Sequence, residues 1–273
     1  MNELECNLVE EIARETAALL NAGQQVQPFS ERFPSFSLSD AYAVTARVRE
    51  LREARGEKAI GRKIGFTNRT IWAEYGVFAP IWGYVYDDTL HDLGKKREQI
   101  PLAGLAEPRI EPEIAFKLRA APRPGMSPGE LLGTIEWLTH GFEIVQSIFP
   151  AWKFAAADTI AAYGLHGKLV LGPQRVKPDD PAWARALESF EIELLRNGER
   201  LDRGRAANVL DGPLFALSHL IDVLEGDAHN PPLTAGEIVT TGTLTRAFPV
   251  SAGERWSTAL AGIDVDGVEV VFV

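Results

Sequence analysis

The chain has 273 residues, 45% hydrophobic and 24% charged, with a formal net charge of −10. That length supports one large or two modest domains, and the acidic balance argues against a general nucleic-acid binder. Cys6 is the only cysteine, which excludes a disulfide framework and a thiolate metal site. Residues 1–22 read as an amphipathic helix, with Leu8, Ile12, Ala17 and Leu20 on one face and Gly23 as its stop. A second helix opens at Ser37-Leu38-Ser39-Asp40, which has good capping residues, and runs to Gly56. Its charged stretch over 47–55 is a solvated face.

The pattern changes at Ala59-Ile60-Gly61-Arg62-Lys63-Ile64-Gly65-Phe66-Thr67, which reads as a short strand. A loop-rich stretch follows, and Gly83-Tyr84-Val85-Tyr86 reads as a strand ended by Asp87-Asp88. Residues 109–118 form a strand and 122–128 a loop. Residues 129–138 read as a short helix, 139–149 as a strand, 150–163 as irregular or short helix, and 167–172 as a strand. Asn197-Gly198 between 190–196 and 199–202 signals a hairpin with a type I′ turn. Residues 213–224 are helical by periodicity. Late strands are expected over 238–244 and 263–273, the second turning at Asp266-Gly267. The predicted fold class is α+β: mostly mixed β, with an N-terminal helical cap (1–58) on a β-rich domain (59–273), the whole a single structural unit. The first residues are acidic where an export signal is basic, and no apolar run approaches a membrane span. A soluble, cytoplasmic protein is expected.

The segment richest in chemistry is Arg109-Ile110-Glu111-Pro112-Glu113-Ile114-Ala115-Phe116, followed by Glu143 in Gly141-Phe142-Glu143-Ile144-Val145. In a strand alternate side chains share a face, so Glu111 and Glu113 point the same way with Cα atoms roughly 6.5–7 Å apart. Two carboxylates in an apolar strand repel each other and resist desolvation. A hard divalent cation relieves both, and with Glu143 the all-oxygen set suits Mg²⁺ or Mn²⁺ rather than zinc. Spacing alone also fits a solvated strand face with two surface glutamates.

These segments, with Gly61 to Thr67, Trp152-Lys153, 167–172, Val209-Leu210-Asp211-Gly212-Pro213-Leu214 and Leu233 to Thr243, resemble the fumarylacetoacetate hydrolase superfamily. Within it the chain is most similar to the 2-oxopent-4-enoate hydratase and 4-oxalocrotonate decarboxylase branch. The resemblance covers nearly the whole chain. It implies a curled, mixed β structure with Mg²⁺ or Mn²⁺ held by Glu111, Glu113 and Glu143 in an open cleft, in a homo-oligomer acting on a small 2-oxo acid. Lys63 matches the branch's active-site lysine, and the Gly65-Phe66-Thr67 turn matches the segment bordering the substrate carboxylate. Where the branch carries an Asp-Asn pair, this chain has Ala162-Tyr163-Gly164-Leu165-His166. Asp158 and His166 are the nearest substitutes.

A metal-stabilised enolate serves three reactions: hydration of a 2-hydroxy-2,4-dienoate, decarboxylation of a vinylogous 2-oxo diacid, and C–C hydrolysis. Lys63 is the candidate for proton transfer, its pKa expected to fall beside a cation. Lys153 would add positive charge and His166 would relay a proton. Thr241, Gly242 and Thr243 would bind a carboxylate through their hydroxyls or the Gly242 amide. Phe66, Trp72, Tyr75, Phe78 and Trp82 line a pocket for the substrate tail or form a subunit interface. Hydrolases of the superfamily use a histidine–glutamate pair, for which His91 is the only histidine before the metal strand, in a polar loop. The leading expectation is a hydratase of the aromatic-catabolism type, with decarboxylase, hydrolase and a silent structural subunit as alternatives.

Overall fold

The computed structural model describes residues 3–94 and 99–273. Helices α1 (Glu3–Leu19), α2 (Phe29–Arg32) and α3 (Leu38–Glu53) lead the chain. Strand β1 (Ala59–Gly65), the helical turn α4 (Trp72–Tyr75) and strands β2 (Ile81–Tyr86), β3 (Leu90–Asp92) and β4 (Arg109–Leu118) follow. Helix α5 (Pro128–Thr134) runs directly into β5 (Ile135–Val145), and α6 (Ala156–Ala161) precedes β6 (His166–Leu171). Then come α7 (Ala182–Ser189), β7 (Glu191–Arg196), β8 (Glu199–Arg205), α8 (Pro213–Glu225), β9 (Ile238–Thr240), β10 (Phe248–Pro249), β11 (Arg255–Ala261) and β12 (Glu269–Val271).

Local chemistry sets many of these limits. Ser37 and Asp40 close a reciprocal capping box at the start of α3. Ser127 and Glu130 do the same for α5, which ends at Thr134 and not at 138 as expected, because the β-branched Ile135 already pairs with Leu118. Asn197 (φ 53°) and Gly198 (φ 85°) adopt the left-handed pair of a type I′ turn. The strand expected over 238–244 stops at Thr240, and only Glu269–Val271 of the final stretch is strand. Helix α7, though amphipathic, and strand β11 are not among the elements expected from the sequence. In β11 the buried Trp256 and Thr258 alternate with small residues, which blunts the contrast between faces.

Among the described residues, eight strands form a mixed sheet in the order β2-β1-β9-β4-β5-β6-β3, with β10 also pairing to β4. The β1–β9 and β3–β6 pairs are parallel and the rest antiparallel. The sheet curls, so different stretches of one face meet different neighbours. Ile64, Ile114 and Phe116 pack with Leu217 and Leu220 of α8. Ile110, Phe142 and Ile144 pack with Leu194, Trp256 and Val270 of a second, four-stranded sheet, β12-β11-β7-β8. Helices α1, α2 and α3 share a core with α6 and with Phe149 and Trp152. No helix among the described residues is long and apolar enough to cross a membrane.

Candidate active site

Strand β4 carries Arg109, Glu111 and Glu113 on one face, and Ile110, Pro112 and Ile114 lie fully inside on the other. On one edge it pairs throughout with β5, which places Glu143 directly across from Glu111. The other edge is interrupted: β10 covers residues 109–110 and β9 covers 115–117. Between them the loop after β9 takes over, with Thr241 N–H donating to the Ile114 carbonyl and Leu244 N–H to that of Pro112. A strand residue's N–H and C=O point the same way, so the donor that Pro112 lacks falls in this interruption, where the ladder loses least by it. The loop also aims the Gly242 N–H at Glu113 Oε2, 2.8 Å away. Only glycine fits there: φ is +98°, and a Cβ would lie 1.8 Å from Thr67 Oγ1.

Carboxylate oxygens of Glu111, Glu113 and Glu143 lie within 4.8 Å of one another. Lys63, buried on β1, places Nζ 3.0 Å from Glu143 Oε2 and donates to the Gly164 carbonyl at 3.0 Å. That carbonyl is presented by three consecutive left-handed residues, Tyr163 (φ 62°), Gly164 (φ 61°) and Leu165 (φ 64°). Two of them are not glycine, a backbone strain of the kind that collects at working sites. His166 Nδ1 lies 2.8 Å from Glu143 Oε1 and its Nε2 lies 2.9 Å from Thr89 Oγ1. His166 therefore meets the cluster through Glu143 and orients it. Behind the strand, His140 links the Glu113 carbonyl (2.9 Å) to Thr258 Oγ1 of β11 (2.8 Å). Burial pulls the His140 pKa down to about 4, so it stays neutral.

Three carboxylates face one ammonium here, and the surplus shows in their acidities. Burial pushes Glu111 up to about 7, with Glu143 adding to it and Lys63 opposing. Burial and then Glu143 hold Glu113 well above the ordinary carboxylate value. Burial acts upward on Glu143 too, but Lys63 and the His166 hydrogen bond leave it below its ordinary value. In the metal-free protein burial pulls the Lys63 pKa down, but Glu143, Glu111 and Glu113 outweigh burial and hold it high. Glu113 Oε1 has no hydrogen-bond partner, and Glu143 Oε2 meets Lys63 at ion-pair distance but outside hydrogen-bond geometry. Buried orphan oxygens are costly. Three converging carboxylates with such oxygens fit a hard divalent cation and no soft one.

The cleft above this cluster encloses ≈ 340 Å³, mouth included. Its floor is Lys63, Gly65, Glu111 and Gly164; its walls are Phe66, Ile71, Tyr75, Val145, Trp152 and Leu165. Several sequence expectations meet their outcome here. Phe66 and Tyr75 line the cleft, and Trp72 supports the turn by donating from Nε1 to the Phe66 carbonyl. Trp82 does not line it: it is 1% exposed and stacks on Tyr42 in the core. Phe78 points to solvent at 66% exposure. Trp152 completes the aromatic wall instead, with Phe154 packed against Tyr75 and Trp152. Nothing in their local sequence announces this, because Ala151 (φ 56°) and Trp152 (φ 57°) adopt left-handed backbone without being glycine.

Lys153 is exposed and stands outside this lining. The hydroxyls of Thr67, Thr241 and Thr243 are fully buried or nearly so and donate to the carbonyls of Thr241, Ile114 and Thr245. The carboxylate that the Gly242 amide binds is that of Glu113. Asp158 is no substitute for the missing polar pair, since it accepts from Ser30 N, Ser30 Oγ and Ala155 N in capping α6. His91 sits on the edge strand β3 rather than in a loop.

Residues 84–266 match the family model described as Fumarylacetoacetate (FAA) hydrolase C-terminal. The chain is 31% identical over 251 residues to the 2-hydroxyhexa-2,4-dienoate hydratase of Comamonas testosteroni, covering 92% of each. It is 28% identical over 233 residues to the 4-oxalocrotonate decarboxylase of Pseudomonas sp. (strain CF600), covering 85% of this chain and 84% of the relative. The solved 4-oxalocrotonate decarboxylase from Pseudomonas putida G7, complexed with magnesium and adipate, superposes with a TM-score of 0.86 at 26% identity over 97% of each chain. With its carboxylate strand, curled sheet and matched length taken together, the chain belongs to the fumarylacetoacetate hydrolase family.

Proposed function

We propose that this protein is a divalent-metal-dependent hydratase that converts a 2-hydroxy-2,4-dienoate into a 4-hydroxy-2-oxo acid, with Mg²⁺ or Mn²⁺ held by Glu111, Glu113 and Glu143. The observation that carries the reading is the buried surplus of carboxylates, with two orphan oxygens, beside Lys63 at the foot of an apolar cleft. When bound, the cation supplies Lewis acidity toward negative charge on the substrate's 2-oxygen. Lys63 Nζ, fixed between Glu143 and the Gly164 carbonyl, holds the proton nearest the reacting end. Those two contacts hold the ammonium in place for proton transfer to substrate. His166 and Thr89 hold Glu143 in orientation. The aromatic wall offers the diene an apolar bed that limits bulk water beside it. Phe78, exposed, remains available to a subunit interface in a homo-oligomer.

Decarboxylation of a vinylogous 2-oxo diacid is the second reading, favoured by the likeness to the solved decarboxylase. Product analysis by NMR separates them. Protein with Mg²⁺ receives 2-hydroxypenta-2,4-dienoate in one tube and a 2-oxo-hexenedioate in another. A 4-hydroxy-2-oxo acid from the first without carbon dioxide from the second is expected. Carbon dioxide from the second alone moves the assignment to decarboxylase, and inertness in both rejects the two readings together.

A further inference from the structure

The cleft is charged only at its floor. Among the described residues lining it, Lys63 and Glu111 carry charge, and the walls carry none. Arg109, on the same strand and face as Glu111, lies outside that lining and is turned onto the wall. Its Nη1 donates to Tyr75 Oη at 2.6 Å, and its guanidinium lies 4.3 Å from the centroid of the Trp152 ring. Its Nε is sealed from solvent without a partner. Tyr75 in turn stacks on Phe154 (5° between planes, centroids 6.1 Å) and meets Phe66 edge-on at 5.7 Å. Tyr75 comes from α4 and Trp152 from the turn after β5, and both segments rest on left-handed residues with no sheet to fix them. Arg109 therefore ties the strand of Glu111 to both segments of the wall.

We propose that Arg109 is the positioning residue for substrate-tail selection, and that the wall it holds selects 2-oxo acids with uncharged hydrocarbon tails over those ending in a second carboxylate. This rests on the 2-oxo-acid reading above. A distal carboxylate would be buried against aromatic faces with no counter-charge, a costly desolvation, whereas an alkyl tail gains from the same burial. Arg109 is already engaged there, its Nη1 by Tyr75 Oη and its guanidinium against the Trp152 ring.

Binding of non-reacting acids tests this apart from turnover. Isothermal titration of the Mg²⁺-loaded protein would use pyruvate, which has no tail, and the equal-length pair 2-oxohexanoate and 2-oxoadipate. The wild type is expected to bind 2-oxohexanoate roughly tenfold tighter than either of the others. Arg109→Met is expected to erase most of that preference while pyruvate affinity holds. Tyr75→Phe, which keeps the ring and loses only the oxygen Arg109 grips, is expected to erase part of it and serves if Arg109→Met does not fold. Equal or tighter binding of 2-oxoadipate by the wild type overturns the inference, as does full tail preference in a variant with normal pyruvate affinity. Absence of pyruvate binding in the wild type instead removes the 2-oxo-acid reading, and the inference with it.

Discussion

Arg62 and Lys63 are neighbours on β1, both cationic and both nearly inaccessible, yet they face opposite sides of the sheet and do different work. Arg62 meets one carboxylate, Glu237, at 2.6 Å and lies 3.9 Å from the centroid of Tyr84. Its charge is matched one to one and its plane is covered. Lys63 faces three carboxylates and no aromatic ring, and two carboxylate oxygens beside it lack hydrogen bonds. Burial of charge is common to both, so it does not mark function. Imbalance does: the charge of Arg62 is balanced by Glu237, although its Nε lacks a partner, whereas three carboxylates surround the one ammonium of Lys63.

This contrast can be broken from either side. The largest effect is expected for Glu113→Ala, which should weaken metal binding by more than about 100-fold, since even outer-shell losses reach that scale. Its metal-free melting temperature should hold or rise because repulsion is relieved. Unchanged turnover with Mg²⁺ would remove Glu113 from the site. Lys63→Ala should lower kcat by about 10²–10⁴ while Mg²⁺ affinity holds or increases. Wild-type rates would take Lys63 out of the chemistry. Arg62→Met, on the other face, should cost about 3 kcal/mol of stability by stranding Glu237, with kcat near normal in the molecules that remain folded. Chemical denaturation with active-site titration checks both halves.

The smallest effect is in pH. Glu111 and Glu113 have folded-state acidities weakened relative to the unfolded chain, so in metal-free protein their protonation favours the fold at low pH. That contribution fades as pH rises through about 7, the Glu111 value. Metal binding requires them ionised and runs the other way. The metal-induced rise in melting temperature should therefore be larger at pH 8 than at pH 6. An equal rise at both would mean that the two carboxyls are already ionised in the metal-free protein.

How much of this was legible in the sequence follows the range of the forces involved. The metal strand, the capping box at Ser37 and the Asn197-Gly198 hairpin depend on neighbours a few residues apart, and they are where the sequence places them. Glu111, Glu113, Glu143, Lys63 and His166 come together as one cluster. The polar loops were less readable. Thr241 to Thr243 have the composition of an anion-binding turn, but the anion turns out to be Glu113, across a break in a ladder that no local pattern reveals. Trp82, expected at the cleft, turns inward, and Trp152, for which no such place was expected, enters it, because the backbone that turns Trp152 is held by distant groups. Glu107 accepts from Ala151 N through its carboxylate and from Trp152 Nε1 through its carbonyl.

The link from the Glu113 carbonyl through His140 to Thr258 ties the metal strand to a sheet that never touches the cleft. For anyone evolving this protein toward new substrates, that makes β11 part of the tuning range. Mutations there, well out of sight of the ligand, would shift Glu113 without altering any residue a substrate meets, and a library confined to cleft-lining positions would miss them.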